Sequence, residues 1–370
     1  MQSGIKNQKQ ETKILIVGAG MSGLTAGAYL SRAGLSPLIL EKTSNSGGLL
    51  ASFIREGFLF DAGPRAIGNA GILKPMLKEL GIDLPLLSSR VSTGIEKSIV
   101  HHNSTQDIDA YIDSLLNLFP AESLAISKLK KKLKSYTRMS AHLNKLPNPF
   151  FYNPAKNLRY LFCQWIPWLP FFLWTTLRTS LSKRSTEKVL ARISSNQSFI
   201  DMVSQHFFKS TPAHFSLGFF ANYQDYAYPE NGTGELPLKL KRFISAHGGD
   251  IHTDCEICSI DPARKIATDQ EGNSYTYDKL LWTGDAKKLY QIIDTKGLSA
   301  QKQRAIEKKA AQLAAVPAGE SVFSLFLAVD QPPEVFGRIS HGHFIYSPQK
   351  KGLGNLHREQ LEQIKSGFHK

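Results

Sequence analysis

An apolar run, Ile14 to Val17, passes directly into Gly18-Ala19-Gly20-Met21-Ser22-Gly23, and this junction limits the possible folds more than any other stretch. The run reads as a buried parallel strand, and Leu24, Ala28, Tyr29 and Leu30 then fall on one face of a helix. The glycines occupy the turn between them. Gly18 permits a sharp strand-to-helix turn, Gly20 lets the backbone approach a pyrophosphate, and Gly23 lets helix pack on strand, with the free N–H groups of the helix facing the phosphates. The spacing is G-x-G-x-x-G. Gly27 and Gly34 continue the close packing and end the helix. A second strand, Leu35 to Leu40, ends in Glu41, at the distance where an acid accepts hydrogen bonds from an adenosine ribose.

The residues after Glu41 select the dinucleotide. A second glycine pair, Gly47-Gly48, leads into a polar–apolar hairpin pattern and then Asp61-Ala62-Gly63-Pro64. A nicotinamide cofactor needs no second glycine pair there. The stretch resembles the FAD-binding region of the flavoprotein superfamily that holds amine oxidases, protoporphyrinogen oxidase, phytoene desaturases, carotenoid isomerases and retinol saturases. Its desaturase and saturase branch places a glutamate, a basic residue, a short spacer and a glycine pair where this chain has Glu41, Lys42, Gly47 and Gly48. The branch's "GF-x-FD-x-GP" segment, which runs beside the flavin, returns as Gly57, Phe58, Phe60, Asp61, Gly63 and Pro64. Leu49 departs from the pattern, because a basic or small polar residue usually follows the glycine pair.

The resemblance resumes at Tyr226 to Pro262, where an aromatic-Pro-x-x-Gly turn precedes a helix and a Gly-Gly-x-hydrophobic strand. It implies FAD as cofactor, with adenine contacted by the backbone of Ile257 and with Gly284 at the tip of a strand ending near the cofactor. Ser321 to Gly337 resembles a strand of the family's substrate domain. Asp61, Arg65, Tyr228 and Glu230 are candidates for tuning the flavin or carrying a proton, and no catalytic residue is assigned. The implied fold is α/β, a Rossmann-like FAD-binding domain of parallel sheet and helices interleaved with a mixed-sheet and helical substrate domain. The expected division is 12–71 with 226–290 for the first domain, and 72–225 with 291–370 for the second.

Charge marks out an insertion in the second domain. Residues 121–192 hold fourteen Lys and Arg against only Glu122 and Glu187, twelve of the chain's net +14. Ile126, Leu129, Leu133, Tyr136 and Leu143 recur at helical spacing, with Lys130, Lys131, Lys134 and Arg138 to the sides and back, so this is a basic amphipathic helix. Tyr160 to Leu177 is rich in Trp and Phe and uncharged. Pro167 and Pro170 are expected to break a straight spanning helix, Gln164 adds an unmatched polar group, and both flanks are basic (Lys156 and Arg159; Arg178, Lys183 and Arg184). The expectation is shallow insertion into one leaflet, with anionic lipid as partner. No nucleic-acid motif accompanies the charge.

The implied substrates are membrane-borne polyenes or retinoids, changed by desaturation, saturation or isomerisation, with an amine oxidase or protoporphyrinogen oxidase activity as the enzyme alternative. A non-catalytic lipid-binding protein on the same fold is the other class. The family also has a final glycine-rich segment facing the flavin pyrimidine. Here only Gly352-Leu353-Gly354 stands in that region, so the chain reads as a fragment, an inactive member, or one whose FAD site a second chain completes. The first dozen residues lack an apolar core, and three cysteines are too few for a disulfide framework, which points to a reducing, cytoplasmic compartment. Cys255 and Cys258 are expected in one strand on opposite faces, hence no redox or metal pair, and His341 and His343 are expected as solvated loop residues.

Overall fold

The computed structural model describes residues 8–350 apart from 69–70, 105–106, 146–150, 152–156, 182–183, 208–210, 219–220, 222 and 317–321. Gly352 to Gly354, Lys156 and Lys183 lie outside the described residues. The strands, in chain order, are β1 (Lys9–Val17), β2 (Leu38–Leu40), β3 (Ser52–Arg55), β4 (Phe58–Asp61), β5 (Ile67–Gly68), β6 (Leu86–Ser88) and β7 (Val91–Ile95). They continue with β8 (Ser98–His102), β9 (Tyr226–Pro229), β10 (Asp250–His252), β11 (Ile257–Asp261), β12 (Ile266–Asp269), β13 (Ser274–Trp282) and β14 (His343–Ser347). Two compact units result. Unit 1 takes Met1–Arg65, Leu77–Leu86 and Pro229–Phe326, and unit 2 takes Ala66–Met76, Leu87–Tyr228 and Leu327–Lys370.

Unit 1 is built on a six-stranded sheet in the order β10-β2-β1-β13-β12-β11. The first four strands run parallel, and β12 and β11 continue the sheet antiparallel. Leu15, Ile16, Leu38, Ile39 and Leu40 are all buried, as a strand covered on both faces requires. Helix Met21–Arg32 packs on helix Glu235–Ala246, and Gly27 makes the approach possible. A Cβ there would lie 2.5 Å from the Ile39 side chain and 3.1 Å from that of Ile244. Residues 291–326 stay in this unit because helix Ala300–Ala314 packs on helix Ala286–Ile292, whose following residue, Ile293, bridges to Ile260 of β11. The six strands come from opposite ends of the sequence, with unit 2 entered between them.

Unit 2 has its own core. Helix Ser123–Lys145 buries Ile126, Leu129 and Leu133 completely, and Lys130 and Lys134 reach the Asp109 carboxylate at 2.9 and 3.0 Å on the surface. Pro167 and Pro170 do not end the aromatic helix. A π-turn, Leu161–Trp165, leads without a break into Ile166–Leu181, so Pro167 follows a widened turn and Pro170 lies inside the helix. Among the described residues no helix is long and apolar enough to cross a membrane. Leu158, Phe162, Leu173, Trp174 and Leu177 are instead exposed, a face that an isolated soluble helix would not present. Trp168 and Phe171 turn the other way, onto His142.

Three expectations are corrected here. The strand expected within Ser321 to Gly337 is absent: residues 322–329 lie in no regular element, and Phe323 is 91% exposed. Alternating apolar residues make a strand only where a sheet edge receives them, and within unit 1 this end of the segment is held through the Phe326 ring, which packs on Phe53 and Phe60 and lies under Arg65. His343 is no loop residue but opens β14, which pairs with β7, while the His341 N–H donates to the Ser92 hydroxyl. Cys255 precedes β11 rather than lying in it. Its buried thiol meets the Tyr275 hydroxyl and the Asp269 carboxylate, and burial pushes it up to about 11, whereas Cys258 is exposed. All three cysteines are free, and among the described residues no His, Cys, Asp or Glu cluster suits a metal.

Candidate functional site

The site is assembled at the ends of β1, β2 and β13. Gly18 has φ of +105°, and its N–H donates to the Leu40 carbonyl at 2.7 Å, so the chain leaves β1 along a path open to glycine. A Cβ on Gly23 would lie 1.9 Å from the Gly18 carbonyl oxygen, which makes the third glycine of the motif obligatory. Around Gly20 there is open space instead, with nothing within 4 Å of a Cβ built there. Gly20 caps helix Met21–Arg32 without a side-chain bond, and the first turn carries no acid. The N-terminal N–H groups of this helix therefore face a space suited to an anion.

Gly47 and Gly48 close the other side. The Gly47 N–H donates to the Ala19 carbonyl at 2.8 Å, Gly20 and Gly47 form an isolated parallel bridge, and Gly47 has φ of +122°. Gly48 faces the Gly20 Cα at 3.2 Å from a built Cβ. Two glycine loops that the sequence separates by some twenty-five residues thus make one cradle. The Lys42 side chain is exposed beside it, and Leu49, at 80% exposure, points to solvent.

Glu41 is buried and already engaged. One carboxylate oxygen accepts from the Ala19 N–H at 2.7 Å, and the other from the N–H and hydroxyl of Thr43 at 3.0 and 2.8 Å. It fixes the turn after β1, and the oxygen bonded to Ala19 retains a lone pair for a further donor. Thr283 does matching work on the far side, donating its hydroxyl towards the Val17 and Gly18 carbonyls, just before Gly284 at the exposed tip of β13. Ile257 opens β11 with its side chain in the core, which leaves only its backbone for a ligand.

A second network sits behind the hairpin β3–β4. The buried Asp61 carboxylate accepts from the Thr233 N–H at 2.9 Å and the Ser52 hydroxyl at 2.7 Å, and Ser52 accepts from the Gly234 N–H. Asp61 therefore holds the turn before helix Glu235–Ala246. The Thr233 hydroxyl is wholly buried and finds no partner among the described residues, an orphaned polar atom beside a cleft of about 280 Å³ lined by Ser52, Asn231 and Gly234. Gly63 passes so close to Leu49 that a Cβ would lie 2.3 Å from the Leu49 oxygen, and Pro64 follows on the surface. Arg65 lies over the Phe326 ring at 5.7 Å, Glu230 is exposed, and Tyr228 is half-buried in β9. Sequence reasoning missed Thr43, whose N–H and hydroxyl hold Glu41, Thr233, whose N–H holds Asp61, and Thr283, whose hydroxyl reaches β1 from far along the chain.

An open anion cradle at a helix N-terminus, two facing glycine loops and an orphaned hydroxyl fit a dinucleotide such as FAD. Comparison with known proteins agrees. Residues 21–344 match the family described as flavin containing amine oxidoreductase. The inactive all-trans-retinol 13,14-reductase of Danio rerio is 24% identical over 292 residues, 71% of this chain and 43% of that one. The 4,4'-diapophytoene desaturase (4,4'-diaponeurosporene-forming) of Staphylococcus haemolyticus is 38% identical over 68 residues, 18% of this chain and 14% of that one. Among solved structures, an oxidoreductase from Methanosarcina mazei aligns with a TM-score of 0.51 at 18% identity, covering 81% of this chain and 65% of that one. The chain thus spans less than half the length of the retinol reductase it matches.

Proposed function

Because this chain belongs to the flavin containing amine oxidoreductase family, a family of FAD-dependent oxidoreductases, we propose that it acts on a membrane-borne isoprenoid polyene by desaturation, saturation or isomerisation. The observation that carries the reading is the joined cradle of Gly18, Gly20 and Gly23 with Gly47 and Gly48. In this reading the cradle and the helix N–H groups hold the pyrophosphate, Glu41 accepts from the ribose, and the Ile257 backbone meets adenine. Gly63, Pro64 and Gly284 run along the rest of the cofactor, and the Lys42 side chain adds a positive charge near the phosphates. FAD, when bound, supplies a hydride acceptor or donor at flavin N5. The chain's own part is to bind, orient and exclude water, and Asp61 serves by holding the Thr233–Gly234 turn in place.

The exposed apolar face from Leu158 to Leu177, beside a basic helix, supports peripheral attachment to anionic lipid in a reducing compartment, where such a substrate is dissolved. The test starts with the purified chain. Heat should release FAD, identified by mass, and anaerobic addition of polyene-loaded vesicles should change the flavin absorbance together with the polyene spectrum. Release of a nicotinamide would overturn the cofactor assignment. Bound FAD with no spectral response to any polyene would favour the second reading, a non-catalytic lipid-binding protein, which the inactive Danio rerio relative supports. Restoration of the response by a second chain that completes the FAD site would return the assignment to an enzyme.

A further inference from the structure

We infer that a cavity inside unit 2 binds one single-chain lipid with an uncharged hydroxyl head group, held by Thr175 and His214. The cavity measures about 400 Å³, within the range of small-ligand pockets, and the described residues that line it all belong to unit 2. Met139 of helix Ser123–Lys145, Phe172 of helix Ile166–Leu181, Phe207 and Phe215 make it apolar. Among the polar residues that also line it, two carry an unpaired atom. The Thr175 hydroxyl, in a side chain 2% exposed, and the buried His214 Nδ1 have no hydrogen-bond partner among the described residues, and both residues line the cavity.

A buried hydroxyl and a buried ring nitrogen left unpaired are costly to fold, and a ligand that satisfies both removes the cost. A single alcohol does so, since its O–H donates to a ring nitrogen while its oxygen accepts from a threonine hydroxyl. Burial lowers the His214 pKa, which keeps the ring neutral and one nitrogen an acceptor. No lysine or arginine lines the cavity among the described residues, and Asp225 does, so a carboxylate head group is disfavoured. Phe172 and Phe215 are also partly exposed and continue into the apolar face of Leu173, Trp174 and Leu177, which gives an alkyl chain a way in from a lipid surface. This site requires neither the flavin nor the polyene reading.

The test uses the whole chain, equilibrated with phosphatidylcholine vesicles carrying radiolabelled cetyl alcohol, palmitate or hexadecane in turn, then separated and counted. Cetyl alcohol should be retained near one per chain, and palmitate and hexadecane about tenfold more weakly, because a site built to bond a hydroxyl rejects analogues lacking it. Thr175→Val should cut alcohol retention about tenfold while leaving hexadecane unchanged, and it should not lower the Tm, since an unsatisfied buried hydroxyl is removed without loss of volume. Thr176→Trp, at the exposed rim, should exclude all three lipids with FAD content unchanged. Equal retention of alcohol and alkane, unaltered alcohol binding in Thr175→Val, or a folded wild type that retains no lipid would each overturn the assignment.

Discussion

Two regions of this molecule make room for a ligand by opposite means. The cradle of unit 1 removes side chains, so that backbone meets backbone at Gly18, Gly23 and Gly48 and N–H groups line what is left. The cavity of unit 2 keeps large ones, and Phe172, Phe207 and Met139 stand around a gap that their own shapes fail to fill. In the first case a single added methyl group collides with main chain that cannot yield. In the second, rotamers can shift, so the chemistry tolerates exchange of one apolar side chain for another.

The sharpest way to break that contrast is Gly23→Val. Its side chain begins 1.9 Å from the Gly18 oxygen, and relief requires moving helix from sheet. A loss of about 3 kcal/mol or more is expected in denaturant unfolding, with FAD content falling in parallel. Wild-type stability would show the cradle to be plastic after all. Glu41→Arg comes next, removing the acceptor for Ala19 and Thr43 and placing a cation there. FAD affinity should fall by on the order of 2 to 4 kcal/mol, measured by flavin fluorescence titration.

Mild acid, above the carboxylate range, should find unit 2 before unit 1. Burial lowers the pKa of His206 to about 3 and of His102 to about 4, where they meet Tyr111, Tyr223 and Thr93. The unfolded chain binds those protons near pH 6.5 and the folded chain does not, so stability falls as pH drops below 6.5 and levels off below the folded values. For His102 alone the expected loss is roughly 1 to 2 kcal/mol between pH 6.5 and 5. His102→Gln should flatten the acid limb of the Tm profile. An unchanged limb would place the acid-sensitive groups elsewhere.

Membrane attachment offers a gentler probe of the same unit. The chain should float with anionic vesicles, and rising salt should remove about 1 kcal/mol per lysine near the surface. Replacing Phe162, Trp174 and Leu177 with serine should release it while leaving the fold intact, because these three side chains are exposed, whereas Trp168 and Phe171 pack on His142. Resistance to alkaline carbonate would argue for a span instead. Smallest of all is Phe323→Ser, expected to change stability by about 0.5 kcal/mol or less and to raise solubility in precipitation assays.

The cradle was legible in the sequence because its chemistry is written in spacing: strand, three glycines, and an acid at the end of the next strand. The helix Ser123–Lys145 was legible for the same reason, its apolar period being local. The features that stayed hidden depend on partners far along the chain. Thr283 matters only because β13 lies beside β1, and β14 is a strand only because β7 receives it. The same rule misled in the other direction at residues 322–329, where a strand-like pattern meets no edge.

The distance between β1 and β13 also sets a schedule for synthesis. The Thr283 hydroxyl reaches the Gly18 carbonyl across 265 residues of chain, and on a ribosome adding roughly 5 to 20 residues per second that partner arrives on the order of tens of seconds after Gly18 does. Through that interval Leu15, Ile16 and Val17 form one edge of an unfinished sheet, while β7, β8 and helix Ile108–Leu118 complete local contacts within a few seconds of emerging. The nascent chain thus carries this apolar edge unpaired for the whole interval, so its yield in cells should track the supply of chaperones that shield hydrophobic edges more closely than it tracks the equilibrium stability of either unit.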